Sequence, residues 1–353
     1  MNMRAFVGML LAAWLVAIVG CGDSGTTGGG LPTTGAAPSP KVGLLVSGST
    51  SDGGWNQLAK DSLDKFAAAN HLDVAVREQV SKDAAADAIR QFDAKGFALV
   101  IAHGFEYLDP VKELTDPARP GSVKVKVVVS GGDADNPHFQ SLNYDLSGAS
   151  YQLGIIAARV SKSGKLGFIG GEAVPTVTIM ARGFAAGAKS VNPNVTVSAQ
   201  YTGWDDPSKA KKQAEAYIDQ GIDVIMQNVD AASRGVFEAV KEYNEKPLEG
   251  KRNAVYTFGA NSDQNANPVC GDFTLASAVI RMDVAFERVL KQIKDGTFKG
   301  GMVKEDLAGG VCVAVVNPKL SGTVIDDQTL KLLDDAAQKL NAGQITIPAG
   351  DVP

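Results

Sequence analysis

From residue 41 onward, short apolar runs alternate with longer stretches in which apolar side chains return every third or fourth position. A short unbroken run fits a strand buried on both faces, and the longer period fits a helix burying one side. Strands are expected at 42–46, 72–78, 98–102, 123–129, 166–169, 195–201, 224–227 and 254–258. Helices are expected at 57–70, 82–95, 147–160, 178–190, 207–220 and 234–243. Asp206-Pro207 puts an acceptor at an N-cap and proline at the first helical position. Ala210, Ala214, Tyr217 and Ile218 then share a face, and Gly221 ends that helix. The order helix, glycine, short apolar strand occurs at 82–102 and again at 207–227, which suggests two similar halves. After Phe258 the alternation loosens. A short strand at 273–275, a helix at 277–293, a strand at 311–316 and a last helix at 326–340 are expected.

Strands alternating with helices of this length imply βαβ units with right-handed crossovers. The expected fold class is therefore α/β, with two similar halves, each a doubly wound parallel sheet. By the layout of two-lobed binding proteins, the first lobe is expected to hold 41–146 plus 271–300. The second is expected to hold 147–270 plus 301–353.

The residues before 41 read differently. Arg4 and the apolar stretch 5–20 have the form of a signal peptide, with 1–20 removed. Ile18-Val19-Gly20-Cys21 resembles a bacterial lipobox, which would leave Cys21 as a lipid-modified N-terminus; a plain signal peptide with an incidental cysteine is the other reading. Residues 22–40 are rich in Gly, Ser, Thr and Pro and read as a flexible tether, so 21–40 would hold the body at a membrane surface outside the cytoplasm.

The formal net charge is −5 over 353 residues, with Lys and Arg scattered, so no basic stripe marks a nucleic-acid partner. Three Cys and three His leave little material for a metal site, and no metal or cofactor is expected. Cys270 and Cys312 could oxidise outside the cytoplasm or remain buried thiols.

In open α/β sheets, ligands bind beyond the carboxyl ends of the strands. The loops there carry Asp52, Trp55 and Asn56; His103, Phe105, Glu106 and Tyr107; Asn228 and Asp230; and Asn261, Ser262 and Asp263. Aromatics with amides and carboxylates suit a flat heterocycle or a sugar better than a phosphate. Each residue also has a plainer role. Trp55 could staple the following helix, Asp52 and Asp230 could be N-caps, and Asn261 and Asp263 could form turns. Phe105 and Tyr107 could be core or rim, and Trp204 suits an interdomain edge. Catalytic signatures are missing. Ser161-Lys162-Ser163-Gly164-Lys165 precedes a strand and lacks the phosphate-loop register, no G-x-S-x-G occurs, and the histidines lack zinc spacing. A binder rather than an enzyme is expected.

Several segments, read in order, resemble the basic membrane protein family of bacterial lipoproteins. They are Asp52-Gly53-Gly54-Trp55-Asn56-Gln57, Gly167-Phe168-Ile169-Gly170-Gly171, Arg182-Gly183-Phe184-Ala185-Ala186-Gly187 and Gly203-Trp204-Asp205-Asp206-Pro207. Gly259 to Gln264 and the closing Gly343-Gln344-Ile345-Thr346-Ile347-Pro348 extend the match. The better understood members are purine nucleoside receptors of ABC transporters with the type I periplasmic binding-protein fold, which implies that the two halves are lobes joined by a hinge. The resemblance implies that Trp55 stacks on a base, that Asp52 and Asn56 meet its polar edges, and that 259–264 holds ribose hydroxyls. Asn261 stands where that last segment has Asp, Ile280 where a Lys is common, and Val229-Asp230-Ala231-Ala232-Ser233 where a glycine-rich turn is usual. The departures bear on the sugar more than on the base.

The expected function is thus a membrane-anchored, monomeric receptor that closes on a purine nucleoside or nucleobase and serves an ABC permease. The alternatives are a sugar or signalling-molecule receptor on the same fold, or an extracytoplasmic nucleoside-acting enzyme.

Overall fold

The computed structural model describes residues 39–246, 253–350 and 352. The expected signal peptide, Cys21 and nearly all of the tether lie outside the described residues. The first sheet is built from β1 (Lys41–Val46), β2 (Asp73–Arg77), β3 (Leu99–His103), β4 (Lys126–Ser130) and β5 (Gln140–Tyr144), joined late in the chain by β11 (Gly301–Glu305). The second holds β6 (Lys165–Gly170), β7 (Thr196–Tyr201), β8 (Val224–Asn228), β9 (Tyr256–Asn261), β10 (Thr274–Ile280) and β12 (Cys312–Val316). The orders are β11-β5-β4-β3-β1-β2 and β12-β10-β9-β8-β6-β7, so the halves repeat one topology. Every pairing is parallel except β10 with β12.

Helices α1 (Trp55–Asn70), α2 (Lys82–Ala94), α4 (Ser147–Val160), α5 (Pro175–Val191), α6 (Pro207–Asp219), α7 (Ser233–Glu245) and α9 (Asp327–Asn341) fall where the periodicity expects them. Their starts have visible causes. Ser81 accepts from the Ala84 amide, Asp206 from Lys209 and Asp326 from Thr329. One helix lies outside the expected set, α3 (Leu108–Thr115), which carries Pro110. That proline lies in the first turn, where a missing N–H costs nothing.

The chain passes between the sheets after Tyr144, after Ile280 and after Glu305. This moves the expected lobe boundaries. Within 271–300, β10 belongs to the second sheet, whereas α8 (Met282–Lys294) packs on α1 of the first lobe. Within 301–353, β11 pairs with β5 in the first sheet. The helix expected from Ser277 starts instead at Met282, because 277–280 is a central strand. Its small and apolar side chains, buried between neighbours, suit either period.

The three passages lie side by side. The Asp145 amide donates to the Glu305 carbonyl at 2.9 Å, and Arg281 N–H to the Val311 carbonyl at 2.8 Å. Arg288 of α8 reaches the Glu305 carboxylate at 2.6 Å, and Glu305 is 1% exposed. Burial pushes the Glu305 carboxyl up while Arg288 pulls it down. Replacing Arg288 by Met strands a buried charge, so urea unfolding at neutral pH should show a loss of about 3 kcal/mol. That loss should shrink at acidic pH: burial raises the Glu305 carboxyl, and once it is protonated the unpaired charge disappears. An equal loss at neutral and acidic pH would contradict a charge-based role.

Cys270 and Cys312 are free, buried thiols. Among the described residues, no helix is long and apolar enough to cross a membrane.

Candidate functional site

Asp52, three residues ahead of α1, organises the loop after β1. Its carboxylate accepts from the amides of Gly54 (2.8 Å), Asn56 (3.1 Å) and Gln57 (3.1 Å), and from Asn56 Nδ2 at 2.8 Å. That is the capping role: the orphan N–H groups of the first turn are satisfied from outside the helix. It leaves Trp55 as the first helical residue, half-buried, with its ring stacked on His103 at 4.2 Å and 29°. Tyr144 meets the indole edge-on at 6.0 Å. Gly131, at φ +87°, lies close to the benzo edge of the indole, and a Cβ there would fall 2.8 Å from Trp55 Cζ2.

His103 is fully buried at the end of β3. Its Nε2 lies 3.1 Å from the Trp55 carbonyl and its Nδ1 3.0 Å from Ser130 Oγ. Burial lowers its pKa to about 3, so the ring is neutral. A carbonyl only accepts, so Nε2 carries the hydrogen and Nδ1 receives the Ser130 hydroxyl. Ser130 Oγ in turn lies 2.9 Å from the Tyr144 hydroxyl, which completes the chain by donating. Tyr144 is the last residue of β5, directly before the first passage between lobes. The aromatic face is thus held by a relay that ends at the hinge, a role that no sequence signal for His103 carried.

The second lobe contributes Asn228, Asp230 and Asn261. Asn261 closes β9 at φ +65°, which turns its side chain so that Nδ2 donates to Asn228 Oδ1 (3.2 Å) and Asp230 Oδ1 (3.4 Å). Asp230 stands just after β8 at φ +38°. Gly54 of the first lobe packs on it so closely that a Cβ would meet the Asp230 Cβ at 3.0 Å. Burial, then the charges of Asp52 and Asp205, push the Asp230 carboxyl up to about 7, with Asn261 pulling the other way.

Gly53 and Gly54 from one lobe, with Asn228, Asp230, Asn261, Gln227, Ser233, Ala260 and Gln264 from the other, enclose a cavity of about 10 Å³. That is room for one water-sized group, so a heterocycle needs the lobes to part. Of the expected residues, Asn228, Asp230 and Asn261 line this space, and Asp52, Trp55 and Asn56 belong to the loop or helix turn that forms its first-lobe wall. Asp263 does not: it is exposed and accepts from the Asn265 amide at 3.0 Å, the turn-forming role. Phe105 is 69% exposed and Glu106 half-buried, both away from the cavity lining. Tyr107 is core, its hydroxyl donating to the Val80 carbonyl. Trp204 packs over Gly171, and its carbonyl accepts from Ala232 beside Asp230.

Sequence reasoning missed Gln227 and Gln264. Gln227 Nε2 donates to Gln264 Oε1 (3.2 Å), which also accepts from the Ala260 amide (3.0 Å). Gln227 reads as the last residue of a buried strand, and nothing in its neighbours marks it as polar lining. Among the described residues, no group of His, Cys, Asp and Glu could hold a metal ion.

Two lobes of one topology, three passages between them and a polar cleft at the strand ends define a two-lobed solute-binding protein. The chain belongs to the Bmp family, the PnrA-like ABC transporter substrate-binding proteins, whose family model matches residues 39–350. It is 26% identical to the ABC transporter nucleoside-binding protein BmpA of Lactococcus lactis subsp. cremoris, over 97% of this chain and 98% of that one. It is 26% identical to a purine-binding protein of Brucella abortus, over 88% of this chain and 84% of that one. An ABC transporter solute-binding protein from Conexibacter woesei, 25% identical, superposes with a TM-score of 0.70 over 88% of this chain and 99% of its own. The substrate-binding proteins of this family work outside the cytoplasm and are not enzymes.

Proposed function

We propose that this protein captures a purine nucleoside or nucleobase between its lobes and delivers it to an ABC permease. The observation that carries the reading is Trp55: an indole braced by His103 and Tyr144, next in sequence to Gly53 and Gly54, which face the amides and the Asp230 carboxylate of the other lobe across the cavity. A braced π-face takes a flat base, and the amides and carboxylates take its N–H edges. The names of the Lactococcus and Brucella relatives agree with it. Binding works by lobe closure, the ligand biasing an open–closed equilibrium about the passages near Tyr144, Ile280 and Glu305. Cys21 would carry a lipid, and the monomer would act at the outer face of a membrane.

A thermal-shift panel of adenosine, guanosine, inosine, adenine and ribose tests the ligand class. Stabilisation by at least one purine and none by ribose is expected. Stabilisation by ribose alone would transfer the site to the sugar reading. Incubation with adenosine should release no free base; release would make the protein an enzyme.

A further inference from the structure

Asp230 is the one carboxylate on the second-lobe wall of the cavity. The amides around it are already committed. Asn261 donates to Asn228 and Asp230, Asn228 donates to Met180 Sδ, and Gln227 donates to Gln264 and the Phe258 carbonyl. Asp230 itself receives a single long hydrogen bond, 3.4 Å from Asn261, among the described residues. The charged groups that face it are Asp52 from the β1–α1 loop and Asp205 from the β7–α6 loop, both acids. Gly54 opposite it offers no side chain. The wall therefore presents acceptor capacity in need of donors, beside the helix turn that carries Trp55.

Resting on the purine reading above, we propose that Asp230 selects the base by its own protonation state: a carboxylate there takes a guanine-type edge, and a carboxylic acid takes an adenine-type edge. Guanine offers two adjacent donors, N1–H and the 2-amino group, and a carboxylate accepts from both in parallel. Adenine offers a donor, the 6-amino group, next to an acceptor, N1. A carboxylate repels that acceptor, whereas a carboxylic acid gives N1 its proton and accepts from the amino group. The group titrates near neutrality, since its pKa is pushed up to about 7 by burial and by two neighbouring acids. Guanine-type ligands should gain affinity as the pH rises through that value, and adenine-type ligands should lose it.

The Asp230→Asn variant has the same size and carries one donor and one acceptor at every pH, the pattern of the protonated acid. Calorimetric titration of the full chain with guanosine and adenosine, repeated with the free bases, at about pH 5.5 and about pH 8.5 decides the matter. In the wild type, the guanine-to-adenine affinity ratio should rise by about tenfold or more between the two pH values. In Asp230→Asn it should favour adenine and stay flat. Purine binding with one unchanged order at both pH values in the wild type overturns the role of Asp230 and leaves the purine reading standing. Failure of every purine to bind at either pH overturns the purine reading and this inference with it.

Discussion

Trp55→Ala is expected to weaken purine binding by about 1–3 kcal/mol, roughly 5- to 150-fold, while the protein stays folded. Stacking on an aromatic is worth that much per base, and little else in the cleft offers a flat face. The indole is half-buried and sits at the edge of the first lobe, so its removal leaves Leu44, Leu63, Phe66 and Ile101 packed. The melting temperature should fall by only a few degrees. Trp55→Phe should recover most of the affinity. Calorimetry on the Ala variant with unchanged purine affinity would remove Trp55 from the site.

Gly187→Ala is expected to be among the most damaging single methyl additions. Helices α4 and α5 cross with their backbones nearly touching: a Cβ at Gly187 would run into the Tyr151 carbonyl, one at Gly183 into Ser147, and one at Gly154 into Phe184. Backbone cannot move aside as a side chain can, and α4 is buried along almost its whole length. The variant should lose about 3 kcal/mol or more, a drop in melting temperature on the order of 10 °C, or fail to fold. A melting temperature equal to wild type in differential scanning calorimetry would mean that the helices can part at no cost. The same physics explains why Arg182-Gly183-Phe184-Ala185-Ala186-Gly187 looks like a motif: the glycines are the crossing itself.

The alternation of short apolar runs with helical periods was enough to read two α/β halves. Two strands escaped it for different reasons. Gln140–Tyr144 is mostly polar in composition yet buried, with Gln140 donating to Gln292 and the Lys299 carbonyl of the late segment that joins it. Gly301–Glu305 is an edge strand whose alternation is too short and too charged to stand out. The lobe boundaries failed with them, because only pairing partners reveal which sheet a late strand joins.

In the site, the loop residues were legible and their relations were not. Asp52 and Trp55 stand close in sequence, so their turn chemistry can be read. His103 lies 48 positions from Trp55, and its brace exists only once β1 and β3 are neighbours. Asp263 drew attention as an acid in a polar loop, but the left-handed turn at Asn261 aims Asn261 inward and leaves Asp263 in solvent. The nearby Gln264 supplies the cavity wall instead.

The most direct test of the purine reading is mass spectrometry of the small molecule released when the freshly purified full chain is denatured, followed by calorimetric titration of the stripped protein with that compound. The account predicts a purine nucleoside or base, rebinding at about one per chain by the one-site logic of a two-lobed cleft. A released and rebinding sugar, with purines silent in the same titration, would contradict it.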